Sequence, residues 1–241
     1  MALNSSNPVP LHIQLKEILL KDITQGIYEE KIPSERELMD QYSVSRTTVR
    51  EAVASLVREG VLEKIHGKGT FINRSHPINE WLGYLSSFTE TINRMGMKPG
   101  AKLLSQGVGS NEEIAETLCV EEYYYIKRLR FADDEPVAIE RHYYPLKIGL
   151  ILKKYDLNQI ALYEKLESEG VSLSNAEQRI LAERPSTEDA ALLEIPDNAC
   201  ILVAQRVITD TLGNPVEYYH SFYRADKYAF SLKMSRGMRT V

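Results

Sequence analysis

Cysteine is nearly absent from this chain of 241 residues: Cys119 and Cys200 stand in different segments, without the spacing of a metal-ligand pair. Neither a disulfide framework nor a zinc site is expected, and both side chains read as reduced structural thiols. No apolar run approaches the ~20 residues of a membrane-spanning helix. The opening MALNSSNPVP lacks a basic stretch followed by an apolar one, so no secretory signal is expected and the expected compartment is the cytoplasm. The histidines (His12, His66, His76, His142, His220) are scattered without metal spacing, and no nucleophile-elbow motif occurs. No catalytic residue, metal or cofactor is therefore expected. Positive charge is also short, with a formal net charge of −5, which over the whole chain argues weakly against contact with a polyanion.

Local charge reverses that argument. Residues 45 to 74 hold Arg46, Arg50, Arg58, Lys64, Lys68 and Arg74 against Glu51, Glu59 and Glu63, a local balance of +3. The helical spacing of Leu11, Leu15, Ile18, Leu19 and Ile23 predicts a first helix, with Gly26 placed to stop it. Ser34-Glu35-Arg36-Glu37 forms a capping box for a second helix that turns Leu38 and Tyr42 inward and ends near Ser43. Ser45 can cap a third, in which Val49, Ala52, Val53, Leu56 and Val57 make one apolar stripe. Thr47, Arg50, Ala54 and Arg58 fall outside that stripe, and Ser45, Arg46 and Thr48 sit in the first turn. Such a helix pair, whose second member begins small, polar and basic, is what insertion into a major groove requires. The segment VLEKIHGKGTFI then alternates and turns through His66-Gly67-Lys68-Gly69, a hairpin with a basic, glycine-opened tip.

The run PSERELMDQYSVSRTTVREAVASLVREGVLEKIHGKGTFI resembles the DNA-binding domain of the GntR family of bacterial regulators. Position by position, the resemblance implies operator contacts for Arg36, Ser45, Arg46, Thr47, Thr48, Arg50, Gly67, Lys68 and Gly69. Arg46 and Arg50 suit guanine edges, since bidentate arginine to guanine is the commonest specific contact. The threonines and Lys68 suit phosphate.

Beyond a polar connector from Asn73 to Asn79, the chain repeats itself. Each copy reads strand, helix, strand, turn, strand; Arg128 and Arg206 are 78 positions apart, Pro136 and Pro215 are 79. Two such units predict a mainly antiparallel six-stranded sheet with helices covering one face, so the fold class is α+β. LSSFTETINRMGMKPGAKLLS, RLRFADDEPVAIERHYYP and PVEYYHSFYRADKYAF are similar to the effector-binding UTRA domain of the HutC subfamily, which shares its fold with chorismate lyase. Regulators of amino-sugar use, which sense phosphorylated glucosamine derivatives, are the nearest likeness. The expected boundaries are 1–74 for the winged helix-turn-helix, 75–80 for the linker, and 81–241 for an effector-binding and dimerisation domain.

Arg128 and Arg130 lie two apart on a strand and project from one face, where paired guanidinium groups can hold a phosphate or carboxylate. Ser86, Ser87, Phe88 and Thr89 are expected to open a helix whose free N–H groups offer a second anion surface. Glu140 and Glu217 read as matched positions in the two returning strands, and Tyr223 shares the face of Glu217. By resemblance Arg128, Arg130, Glu140, Tyr163, Glu217 and Tyr223 are effector contacts. Strand arginines opposite carboxylates also form ordinary solvated ion pairs, and Tyr123, Tyr124, Tyr125, Tyr143 and Tyr144 read as sheet packing. Where sugar-phosphate sensors carry a serine in S-x-Y, this chain has Ala161-Leu162-Tyr163. The partners expected are double-stranded operator DNA bound as a palindrome, a small anionic effector such as a phosphorylated sugar, and a second copy of the chain. The rival class is a chorismate-lyase-type enzyme, since fold alone does not separate sensor from catalyst. A DNA-binding scaffold indifferent to metabolites is the third.

Overall fold

In the computed structural model of the chain, residues 3, 8–24, 27, 28, 30–72, 77–232 and 234 are described. Gly26, Arg74 and His76, invoked above, lie outside the described residues. The chain divides into two compact units, Met1–Asn79 with Glu90–Lys98, and Glu80–Thr89 with Pro99–Val241.

The first unit contains α1 (Leu11–Thr24), α2 (Glu35–Tyr42), α3 (Arg46–Arg58) and an antiparallel hairpin of β1 (Leu62–Ile65) and β2 (Gly69–Ile72). Both halves of the capping box form: Glu37 N donates to Ser34 Oγ at 3.3 Å, and Ser34 N to Glu37 Oε2 at 2.7 Å. α2 ends on Ser43, whose φ of 53° bends the chain out of the helix, and Ser45 caps α3 two residues later. The α3 stripe is core, with Val49, Ala52, Val53 and Leu56 buried against Leu15, Leu19, Ile23, Ile32 and Leu38. Val57 and Tyr42 pack at its margin.

The second unit is built on one six-stranded sheet. Its strands are β4 (Pro99–Gly109), β5 (Tyr123–Ala132), β6 (Glu135–Pro145), β7 (Asn175–Glu183), β8 (Ile201–Thr209) and β9 (Pro215–Arg224), ordered β4-β5-β6-β9-β8-β7. Every neighbouring pair is antiparallel. The duplication is visible in its caps as well as its strands. Asn111 caps α5 (Glu112–Leu118) and Ser186 caps α8 (Thr187–Leu193), and both helices end on a residue in the left-handed region, Cys119 and Glu194. A short strand β3 (Ile78–Trp81) pairs with β10 (Tyr228–Ser231), so Ile78, Asn79 and Glu80, expected within the linker, are in a strand. Among the described residues no helix is long and apolar enough to cross a membrane.

Helices cover both faces of the sheet rather than the one expected. Leu193 of α8 packs with Leu129, Ile139, Val203 and Phe222 on one face. On the other, α6 (Leu146–Leu152) and α7 (Leu162–Ser168) cover Tyr124, Ile126, Tyr144 and Ile208. The two extra helices lie between the repeats, where the strand–helix pattern of either copy has no counterpart. α6 approaches closely because of Gly149: a Cβ there would stand 2.2 Å from Tyr124 Cβ. Gly149→Ala gains at most about 1 kcal/mol of helix propensity and loses roughly 1–3 kcal/mol or more to overpacking. A lower urea midpoint is expected; an unchanged one would contradict this packing.

Candidate nucleic-acid interface and buried anion site

On the first unit, Arg36, Ser45, Arg46, Thr47, Arg50, Gly67 and Lys68 are exposed, Thr48 and Gly69 half-buried. The cap consumes two hydroxyls, because Ser45 Oγ accepts from Thr48 N at 3.2 Å and lies 2.9 Å from Thr48 Oγ1. Thr47 and the basic side chains remain at the surface. The Arg46 side chain is 73% exposed, with Nε only loosely placed 3.7 Å from Glu35. Glu35 is engaged by Lys64 at 2.7 Å, and that hydrogen bond, against the opposing cost of burial, lowers its carboxyl below the ordinary value. Gly67 and Gly69 hold φ of 74° and 120°, the left-handed backbone that lets the hairpin turn tightly around Lys68.

On the second unit, strand parity gathers one polar cluster on a single face. Arg128 stands opposite Glu140, His142 opposite Tyr219, and Arg206 opposite Tyr219 on its other side. Glu140 Oε2 accepts from Arg130 at 2.6 Å and from Arg128 at 3.1 Å, while its Oε1 accepts from Tyr219 at 3.1 Å. Arg128 also donates to the carbonyls of Leu157 and Ile160, and Arg130 to Thr89 Oγ1 at 2.9 Å while lying over the Phe88 ring. Glu217 is held by His142, Tyr144 and Tyr163, and Arg206 donates to the Tyr163 hydroxyl at 2.8 Å. These ion pairs are buried rather than solvated. A cavity of about 10 Å³, lined by Ser87, Phe88, Thr89, the three arginines, Glu140, His142 and Tyr163 among others, lies between them. That is space for about one water: the protein's own side chains fill the site.

Burial alone would raise the Glu140 carboxyl, but Arg130, His142 and Arg128 outweigh it and hold it well below the ordinary value. Glu217 is likewise pushed up by burial and pulled lower overall by His142 and Arg206. Burial, with Arg130 beside it, brings Arg128 down to about 10, still protonated at neutral pH. Burial raises Tyr144, Tyr163 and Tyr219 well above the ordinary phenol value, so all three stay hydrogen-bond donors. Because both carboxyls titrate lower folded than unfolded, the unfolded chain binds more protons in acid. Their contribution is complete above the ordinary value of 4.5 and is lost as pH falls through it toward the lowered values. A thermal midpoint for the second unit that drops below about pH 4.5 is expected; a flat midpoint down to pH 3 would contradict this pairing.

Of the expected effector residues, Ser87, Phe88, Thr89, Arg128, Arg130, Glu140 and Tyr163 line the cavity. Glu217 and Tyr223 stand one bond behind it, through Tyr163 and Tyr219. Ser86 is buried but does not line it. The helix they open, α4 (Phe88–Arg94), has seven residues; its Thr89 hydroxyl accepts from Arg130 and its Phe88 ring lies beneath that guanidinium. Glu140 and Glu217 are not matched positions: Tyr219 occupies in the second repeat the place of Glu140, and Glu217 stands opposite Ile208. His142, Arg206 and Tyr219 also line the cavity, and Tyr144 is a network donor as well as packing. Each carried a signal, His142 and Tyr219 two residues from a site glutamate and Arg206 offset 78 from Arg128.

A winged helix on the same chain as a closed, arginine-rich sheet cavity defines a ligand-responsive transcriptional regulator. Residues 11–72 match the bacterial regulatory proteins of the gntR family, and residues 94–229 the UTRA domain. The chain is 34% identical over 243 residues to the HTH-type transcriptional repressor NagR of Bacillus subtilis strain 168, covering 98% of this chain and 99% of the relative. It is 30% identical over 234 residues to the HTH-type transcriptional regulator GgaR of Escherichia coli K12, covering 94% and 92%. The crystal structure of PhnF from Mycobacterium smegmatis superposes with a TM-score of 0.63 at 25% identity, covering 92% of this chain and all 100% of that one. The chain belongs to the GntR family and carries a UTRA domain. It is a DNA-binding, effector-responsive transcriptional regulator and not an enzyme.

Proposed function

We propose that this regulator is a cytoplasmic repressor that binds a palindromic operator as a homodimer and senses a small anion, a phosphorylated sugar being the favoured class. Its working parts are a winged helix-turn-helix over 1–74 and an effector-binding and dimerisation domain over 81–241, joined through 75–80, of which Ile78–Glu80 belong to β3. The observation that carries the effector reading is the cavity lining, which holds Arg128, Arg130 and Arg206 with one carboxylate, Glu140, while Glu217 and Glu80 stand behind it. Desolvated guanidinium groups lining a cavity favour an anionic oxygen, and an incoming anion would compete with Glu140 for Arg128 and Arg130. The name of NagR, a repressor, supports the sign of regulation.

A winged helix reads few base pairs, so two recognition helices on successive major-groove turns, ~34 Å apart or a multiple, supply the remaining specificity. Effector binding alters operator affinity through a coupling of ~1–3 kcal/mol. Fluorescence anisotropy on inverted-repeat and scrambled duplexes, with and without a hexosamine phosphate, tests the whole reading. Equal affinity for both duplexes would sink the operator half, and no response to the phosphate ester the effector half. Ala161 caps α7 with no side-chain hydrogen bond. Ala161→Ser is expected to stabilise that helix by ~1 kcal/mol and to tighten a phosphate ester.

A further inference from the structure

Glu35 is an acidic side chain set among the basic groups of the first unit's operator face. It is the first residue of α2, and its side chain is 22% exposed. Its two oxygens are divided between two elements: Oε1 accepts from Lys64 Nζ of β1 at 2.7 Å, and Oε2 lies 3.7 Å from Nε of Arg46, the first residue of α3. The Lys64 hydrogen bond foremost, with Arg50 and Arg46 adding to it, keeps the carboxyl charged at neutral pH. A fixed negative charge here repels phosphate and weakens every duplex alike. What it offers instead is orientation. Lys64 holds one oxygen in place, so the other is presented to the Nε side of Arg46. Arginine reads guanine with two parallel N–H donors, and with Nε turned toward Glu35 the two Nη groups are the pair left for the base edge. The Arg46 side chain is otherwise 73% exposed, free to sample many rotamers from which a groove would have to select one.

Resting on the operator contacts assigned above, we propose that Glu35 is a positioning residue for base recognition: it orients Arg46 toward a guanine edge through Nε, with Lys64 as its anchor on the hairpin. Lys64 is then a strut of the interface and not one of its phosphate contacts. Selection from a random-sequence duplex pool by the full chain, read base pair by base pair, tests this. Wild-type protein should enrich a palindrome, and Arg46→Ala should relax one pair in each half-site. Glu35→Gln should relax that same pair, losing ~10-fold of the discrimination against the wrong base, and leave the pairs that depend on Arg50 intact. Scrambled duplex should bind Glu35→Gln at least as tightly as wild type, with a salt slope steeper by up to ~1, because a repelling charge is gone and Lys64 is released to phosphate. A role confined to holding hairpin and helix together would instead relax every pair and weaken scrambled duplex as well. That outcome overturns the proposal, as does wild-type discrimination at every pair in Glu35→Gln, or an Arg46→Ala variant that relaxes none. Base frequencies among the bound duplexes do not depend on how much of a preparation is folded, so a partly unfolded variant still gives an answer. If the wild-type protein enriches no palindrome, the operator reading itself has failed, and that is seen before any variant is made.

Discussion

Arg50→Ala is expected to weaken operator binding ~5- to 150-fold, the ~1–3 kcal/mol of one bidentate arginine–guanine contact, while leaving the protein's unfolding midpoint in place. Arg50 lies one helical turn beyond Arg46 and three residues beyond Thr47, so all three can share one side of α3. Its neighbour Val49 is fully buried and anchors the helix to α1 and α2. The helix therefore stays folded when the exposed side chain is cut, and surface substitutions of this kind usually move stability by less than ~0.5 kcal/mol. Lys68→Ala should behave differently: it removes a charge at the hairpin tip, weakens specific and random duplex alike, and lowers the salt slope by ~1. Anisotropy titrations over a range of salt separate the two. If Arg50→Ala loses affinity equally for operator and scrambled duplex, it is a phosphate contact and Arg46 carries the base reading alone.

The first unit was legible because its signals are local. A capping box, a serine cap and an apolar stripe each act within a few residues, and α2, α3 and the hairpin follow them closely. The repeat was legible too, since equal spacing of strands and caps survives without knowledge of which strands meet. Its register was not. Asp133 and Asp134, both at positive φ, turn β5 into β6, whereas β8 reaches β9 through Asp210–Asn214 and a register shift at Ile208/Thr209. The longer turn slides the offset from 78 to 79, so Tyr219 and not Glu217 takes the place of Glu140. The sequence also carried no sign that Glu90–Lys98 groups with the first unit. Nor did it separate a solvated ion pair from a buried one: that depends on the segment before α7 and on α7 itself, where the Leu157 and Ile160 carbonyls and Tyr163 meet Arg128 and Arg206.

That burial changes what Arg128→Ala should do. As an exposed anion contact, its loss would affect the effector alone; enclosed as it is, it also supports Glu140 and the carbonyls of Leu157 and Ile160. Breaking a buried pair from one side costs about 3–5 kcal/mol, so the second unit should melt markedly lower and the effector response should vanish. A fold effect and a binding effect would then coincide, and Arg128 alone cannot apportion them. Arg130→Lys can. Lysine keeps the charge beside Glu140 but gives up the planar fork that reaches Thr89 Oγ1, the Gly100 carbonyl and Glu140 together. The melting midpoint should fall less than in Arg128→Ala, with operator affinity retained and hexosamine-phosphate affinity reduced at least ~10-fold. Retention of the full effector response in Arg130→Lys would mean that this guanidinium only holds the sheet together. The anion would then have to be sought at Arg206, whose Nη1 stands 3.8 Å from Glu80 Oε1.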